Sequence, residues 1–214
     1  MEENEKNCQG VKITLLGNSG VGKTCIILRY TKNEFNTGTA STRGASYSSK
    51  IITVDNKDLQ LDLWDTAGQE QYRSLGMYFY KDSYIVILVY DITNRESFDD
   101  LKNVWYKDLN KYGEEYRVLA IVGNKCDMYE EENTVPEDEA RQFAEEKNAI
   151  FMLVSAKNGD NIKNLFNILA HKYLDPFFQI KIEEKNEINE GSVKIKKRTL
   201  EEEKKIKSRN KHCC

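Results

Sequence analysis

Gly17-Asn18-Ser19-Gly20-Val21-Gly22-Lys23-Thr24 decides the reading of this chain. The apolar run over residues 11–16 precedes it and reads as a strand, and Cys25-Ile26-Ile27-Leu28 after it reads as the opening turns of a helix. A glycine-rich loop binds nothing by itself. Set between a strand and a helix, in the spacing G-x-x-x-x-G-K-[ST], it makes a phosphate cradle. The glycines let the backbone bend so that successive N–H groups point inward at a phosphate, and the helix N-terminus adds partial positive charge. Lys23 can reach the β- and γ-phosphates of a nucleotide, and the Thr24 hydroxyl can ligate Mg2+.

Outward from this loop, strand and helix patterns alternate. Strands are predicted over residues 11–16, 46–54, 59–64, 84–90, 117–123 and 150–154, the second and third forming a hairpin about Asp55-Asn56-Lys57-Asp58. Helices are predicted over 23–30, 94–111, 136–147 (with Pro136 in the first turn) and 161–174, and a loop with an irregular helix over 69–82. Residues 84–90 and 117–123 are continuously apolar, as strands buried on both faces are. The interleaving predicts an α/β fold: a six-stranded, mostly parallel sheet with one antiparallel edge strand and helices on both faces. Ligands of such sheets sit at the carboxyl ends of the strands, and every motif described here falls at one.

Trp64-Asp65-Thr66-Ala67-Gly68-Gln69-Glu70 follows the third strand. Asp65, at a strand end, can hold Mg2+ through water, because Mg2+ gives up its waters reluctantly. Gly68 offers a backbone N–H unobstructed by a side chain to a γ-phosphate, and Gln69 can orient a water for in-line attack. Asn124-Lys125-Cys126-Asp127 follows the fifth strand. The Asp127 carboxylate can accept the N1–H and 2-amino group of guanine side by side. Adenine lacks that arrangement and would leave the carboxylate unpaired. The long apolar stem of Lys125 can lie over a base. Ser155-Ala156-Lys157 follows the last strand, where the Ala156 N–H can meet the guanine O6 and Lys157 can cover the base.

The remaining composition sets the class. No run of 18 apolar residues predicts a transmembrane helix, and the polar start at residues 1–9, with Glu2 second, fits neither a signal peptide nor a myristoylation site. The five cysteines, Cys8, Cys25, Cys126, Cys213 and Cys214, include no C-x-x-C pair, which argues against zinc and for a reducing compartment. Residues 194–211 hold nine Lys/Arg and three Glu, so +6 of local charge rides on a body carrying −9 of the net −3. Charge alone leaves open whether this tail meets an anionic surface or is merely solvated. Cys213 and Cys214 do not satisfy C-a-a-X; two adjacent thiols on a basic tail could each take a prenyl chain, or stay free. His171 and the aromatics Trp105, Tyr106, Tyr112 and Tyr116 read as packing, and no nucleic-acid surface is expected.

Taken together, the four loop motifs resemble those of Ras-superfamily small GTPases. Leu63 to Glu70, Leu88-Val89-Tyr90-Asp91-Ile92-Thr93-Asn94 and Cys213-Cys214 make the chain similar to the Rab family, over roughly residues 10–175. The resemblance implies a P-loop G domain over residues 10–176, between a flexible start at 1–9 and a hypervariable, prenylated tail at 177–214. It implies that Asn18, Ser19, Gly20, Val21, Gly22, Lys23, Thr24, Cys25, Phe35, Thr42, Gly68, Asn124, Lys125, Asp127, Ser155, Ala156 and Lys157 surround GTP or GDP, with Phe35 edge-on to the base. By the same resemblance Thr42 joins Thr24 and Asp65 as a Mg2+ ligand, Gln69 is the catalytic residue, and Cys213 and Cys214 carry geranylgeranyl groups.

The implied function is a switch that hydrolyses GTP slowly and recruits effectors to membranes in vesicle trafficking. Its expected place is the cytoplasmic face of intracellular membranes, cycling through the cytosol. No arginine is placed to act in cis, so a GTPase-activating protein is expected, together with an exchange factor, effectors, prenyl-transfer and escort proteins, and a GDP-dissociation inhibitor. Three places depart from the family pattern: Arg43-Gly44 for the usual Ile-Gly, the polar stretch over residues 46–50, and Lys81-Asp82-Ser83 for Arg-Gly-Ala. They bear on effector choice; Arg43 puts a charge where an apolar contact is usual.

Overall fold

Two strands that bury every residue, β4 (Ile85–Asp91) and β5 (Val118–Asn124), can only lie inside a sheet covered on both faces. In the computed structural model they pair in parallel, Ile85 opposite Val118 through Asp91 opposite Asn124. The structure describes residues 8–36, 38, 42, 44–68, 81–112, 116–129 and 134–178. Its other strands are β1 (Gln9–Leu16), β2 (Ala45–Val54), β3 (Lys57–Thr66) and β6 (Ile150–Val154), in the sheet order β2-β3-β1-β4-β5-β6. Among the described residues only β2 runs antiparallel, paired with β3 and standing at the edge.

Alternation along β4 divides the core. Val86, Leu88 and Tyr90 face a cluster with Phe98, Leu101, Trp105, Leu109, Ala140 and Ala144 from one layer of helices. That layer is α2 (Arg95–Asp100), a π-helical turn (Leu101–Trp105) and α3 (Tyr106–Tyr112), run end to end, with α4 (Glu137–Glu146). The other layer is α1 (Lys23–Lys32) and α5 (Ile162–Leu174), which meet where Tyr30 stacks on Phe166 at 3.8 Å between ring centres. Ile162, Leu165, Phe166, Leu169 and Tyr173 of α5 share one face at helical spacing and are all buried.

Three details differ from the sequence reading. The predicted helix 94–111 contains the π turn. Pro136 stands one position before α4 instead of inside its first turn. The hairpin turn is Asp55-Asn56 alone, both with positive φ (49° and 63°), while Lys57 and Asp58 already belong to β3. That two-residue turn matches the right-handed twist of the strands. The polar β2 alternates weakly because it lies at the edge; its exposed Tyr47 packs edge-on to Trp64 at 5.5 Å. Lys81-Asp82-Ser83 enters β4 at its amino end, with Ser83 buried and bonded to the Thr14 hydroxyl. The predicted element at 69–82 lies, up to residue 80, outside the described residues, as does the tail beyond 178.

The Tyr30 hydroxyl is buried and makes no hydrogen bond among the described residues. Burial pushes its pKa up to about 12. Tyr30→Phe removes that unpaired group and keeps the stack on Phe166 and the Lys50 ammonium 4.4 Å from the ring centre. Urea unfolding should show the variant more stable by about 1 kcal/mol; a loss of stability would mean the hydroxyl has a partner in solution.

Candidate functional site

The strand order places β1 between β3 and β4, so the loops leaving β1, β3, β5 and β6 open into one crevice. A cleft of about 400 Å³ lies there, lined from the β1–α1 loop by Ser19, Gly20, Gly22, Lys23, Thr24 and Cys25. Phe35, Thr42, Gly68, Asn124, Lys125, Asp127, Ala156 and Lys157 complete it, with Asn36 and Met128. Of the predicted residues, Asn18, Val21, Asp65 and Ser155 lie behind this lining. Gln69, Cys213 and Cys214 fall outside the described residues, as does Arg43.

The loop after β1 is closely approached at two glycines, by backbone at Gly17 and by a side chain at Gly22. A Cβ on Gly17 (φ 144°) would sit 2.2 Å from the Val89 carbonyl oxygen, and one on Gly22 (φ 94°) 2.2 Å from Asn124 Nδ2. Only glycine allows both the left-handed backbone and the approach. The fold thus wraps the loop around Lys23, whose Nζ donates to the carbonyls of Gly17 (2.7 Å) and Asn18 (2.9 Å). Burial pushes the Lys23 pKa down to about 8, with the Asp65 charge opposing.

Beside Lys23, three oxygen groups converge. Thr24 Oγ1 donates to Asp65 Oδ2 (2.7 Å), Thr42 Oγ1 donates to the same oxygen (3.0 Å), and the two hydroxyls are 2.9 Å apart. Burial raises the Asp65 pKa, against the hydroxyl of Thr24 and the charge of Lys23. Asp65 Oδ1 is buried with no hydrogen-bond partner among the described residues. An all-oxygen set with an unsatisfied carboxylate fits a hard cation that keeps water and phosphate as further ligands. No cluster of three His, Cys, Asp or Glu among the described residues offers a rival metal site.

At the other end of the cleft, Asp127 Oδ1 accepts from the buried Ser155 hydroxyl at 2.6 Å, and Lys157 Nζ lies 3.4 Å from Oδ2. Burial pushes the Asp127 carboxyl up, but the Ser155 hydroxyl, a backbone N–H and Lys157 outweigh it and hold the group below the usual range. The site therefore presents a charged acceptor at neutral pH. Asn124 works differently from its neighbours. Its Nδ2 donates to the Val21 carbonyl (2.8 Å) and its Oδ1 accepts from the Ala156 N–H (3.1 Å), so it ties the first loop to the last. The Ala156 N–H, expected to face a base, is directed at Asn124 instead.

Two positioning residues escape the sequence reading. Arg29 on α1 donates to the carbonyls of Ala156 (2.8 Å) and Lys157 (2.6 Å), holding the last loop from behind. Asp91, at the end of β4, pairs with Lys125 Nζ at 2.5 Å while its other oxygen accepts from Thr93. Lys125 itself has left-handed backbone (φ 69°). Nothing local in the sequence marks Arg29, because its partners lie more than a hundred residues away; Asp91 at a strand end was the one readable signal.

Comparison with known proteins agrees with this arrangement. The family model described as Ras family matches residues 12–175. The chain is 38% identical over 193 residues to the Ras-related protein Rab-31 of Homo sapiens, covering 89% of this chain and 94% of that protein. It is 34% identical over 191 residues to the GTP-binding protein YPT1 of Saccharomyces cerevisiae (88% and 92%), and 42% identical over 156 residues to human Ras-related protein Rab-22A (73% and 79%).

Proposed function

This chain belongs to the Ras family as a small GTPase of the Rab kind, hydrolysing GTP to GDP in vesicle trafficking, and from that premise we propose which of its residues bind and turn over the nucleotide. The supporting observation is that loops separated by more than a hundred residues bring Lys23, Thr24, Thr42, Asp127 and Lys157 to one cleft.

In this reading the N–H groups of Gly20 to Cys25 and the Lys23 ammonium bind the phosphates. Asp127 takes the two N–H groups of guanine, Lys125 and Lys157 cover the base, and Phe35 meets it edge-on. Asn124 acts through Val21 and Ala156, fixing both loops while the base is held. Thr24, Thr42 and Asp65 would hold Mg2+, which neutralises phosphate charge when bound. Gln69 orients the attacking water, whose oxygen displaces the β–γ bridging oxygen at phosphorus. Its proton leaves with the phosphate released. Thr42 and Gly68 respond to the γ-phosphate, and its loss frees the loops that carry them.

Partners follow from what the cleft lacks and what the tail carries. No arginine lines the cleft among the described residues, so a GTPase-activating protein supplies one, worth roughly 10³–10⁵ in rate. An exchange factor and effectors use the same loops. Cys213 and Cys214 follow a basic segment and carry prenyl groups; two chains hold a protein on a membrane where one does so only marginally. Prenyl-transfer and escort proteins and a GDP-dissociation inhibitor handle that anchor, and the protein works on the cytoplasmic face of intracellular membranes.

Single-turnover hydrolysis tests the assignment. Gln69→Leu should slow phosphate release from bound GTP by about tenfold or more and leave GTP affinity as it was. Unchanged hydrolysis would remove Gln69 from the mechanism. Tighter binding of ATP than of GTP at equal Mg2+ would overturn the guanine reading altogether.

A further inference from the structure

Asp100 and Trp105 are five residues apart in one continuous helical run. Five α-helical residues turn the chain far enough to leave such side chains about 140° apart. Here both reach the same amide. Asn18 Nδ2 donates to Asp100 Oδ2 at 2.6 Å, and Trp105 Nε1 donates to Asn18 Oδ1 at 2.6 Å. The intervening segment Leu101–Trp105 is the π turn, closed by the Tyr106 N–H on the Leu101 carbonyl. An i→i+5 closure brings the fifth residue round to the side of the first, which is what a two-pronged grip on one side chain needs.

The grip bears on the cleft through the main chain. The Asn18 side chain faces away from the cleft, but its carbonyl accepts from Lys23 Nζ, and the next N–H, that of Ser19, donates to the Gly68 carbonyl at 3.0 Å. Holding the Asn18 amide at both ends therefore fixes the peptide that orients Lys23 and Ser19. Trp105 is only 6% exposed, so its end of the grip is anchored in the core. A π turn costs regular helix geometry and is kept mostly where it serves a site.

We propose that the π turn Leu101–Trp105 is a clamp on the phosphate loop, in which Asp100 and Trp105 act through Asn18 as positioning residues for nucleotide retention. The clamp rests on the nucleotide reading above. It keeps the loop preorganised, so that bound phosphate meets donors already in place. Loosening it speeds nucleotide release without changing which base is preferred.

The test uses a charge relocation read by release of a fluorescent GDP derivative from the full chain, chased with excess GDP in Mg2+. Asn18→Asp keeps the acceptor for Trp105 but sets two carboxylates against each other, and should speed release about tenfold or more. Asp100→Asn alone keeps a neutral acceptor for Asn18 and should change release by less than about threefold. Combined, the new amide donates to the new carboxylate, and release should return to within about threefold of wild type. A role in general stability would give additive effects and no such rescue. Trp105→Phe, which removes the indole N–H and keeps a ring in the core, should also speed release. Thermal unfolding of all variants checks folding. Wild-type retention of GDP with no acceleration in Asn18→Asp, or with no rescue in the double variant, overturns the clamp. A wild-type chain that holds no GDP overturns the nucleotide reading and the clamp with it.

Discussion

Asp127→Asn should weaken GDP and GTP binding by at least about 10³-fold, measured by calorimetric titration in Mg2+. The substitution keeps size and shape, so the loop after β5 has no steric reason to move. What changes is the pattern of donors and acceptors. Asp127 Oδ1 already accepts from the Ser155 hydroxyl, and Lys157 lies 3.4 Å from Oδ2. An asparagine there brings an NH2 that must face Ser155, Lys157 or the base, and each of these presents a donor. Guanine's paired N–H groups then meet one acceptor where they need two, in a place too buried for water to substitute freely. A purine diphosphate with oxygen in place of the 2-amino group offers the acceptor the new NH2 wants. It should bind the variant better than GDP does. Equal affinity of the variant and the wild type for GDP would remove Asp127 as the base reader.

Why Asp127 was readable from sequence while Arg29 was not is a matter of range. The phosphate loop, Asp65 and Asp127 each announce themselves within a few residues, because a strand's apolar run is followed at once by the polar residue it carries. β4 and β5 were legible for the same reason: a continuous apolar run permits no exposed face. The hairpin was legible from Asp55-Asn56, though the cluster spans four residues and only two form the turn.

The π turn left no such trace. Phe98, Leu101, Trp105 and Leu109 are spaced by three and four residues, which is the period of an α-helix. Only the meeting of Asp100 and Trp105 on one partner 82 and 87 residues away exposes the irregularity. Trp105 was read as packing, and it does pack; its indole N–H has a second use that no local pattern carries. Asn124 and Ala156 show the converse. Their motifs were legible, but which atoms face a base and which face each other depends on how two distant loops meet.

Lys23→Met should lower GDP affinity by about 10³-fold or more while leaving the unfolding midpoint of the nucleotide-free protein within a few degrees of wild type. The two effects separate because they draw on different interactions. Lys23 is 5% exposed, and its pKa falls from 10.5 to about 8 through burial. Below pH 8 the folded chain keeps that charge buried, at a cost of roughly 3 kcal/mol. That figure is already net of the ammonium's hydrogen bonds to the Gly17 and Asn18 carbonyls, which a methionine leaves without this donor at about 1–3 kcal/mol each. Methionine fills the same volume without branching, removes the cost of the buried charge while taking the donor from those carbonyls, and so leaves stability nearly level. Bound phosphate has no such compensation, since its charge meets one buried cation fewer. A large fall in the midpoint would make Lys23 a structural strut of the loop. An affinity loss below tenfold would mean the backbone N–H groups of Gly20 to Cys25 hold the phosphates without it.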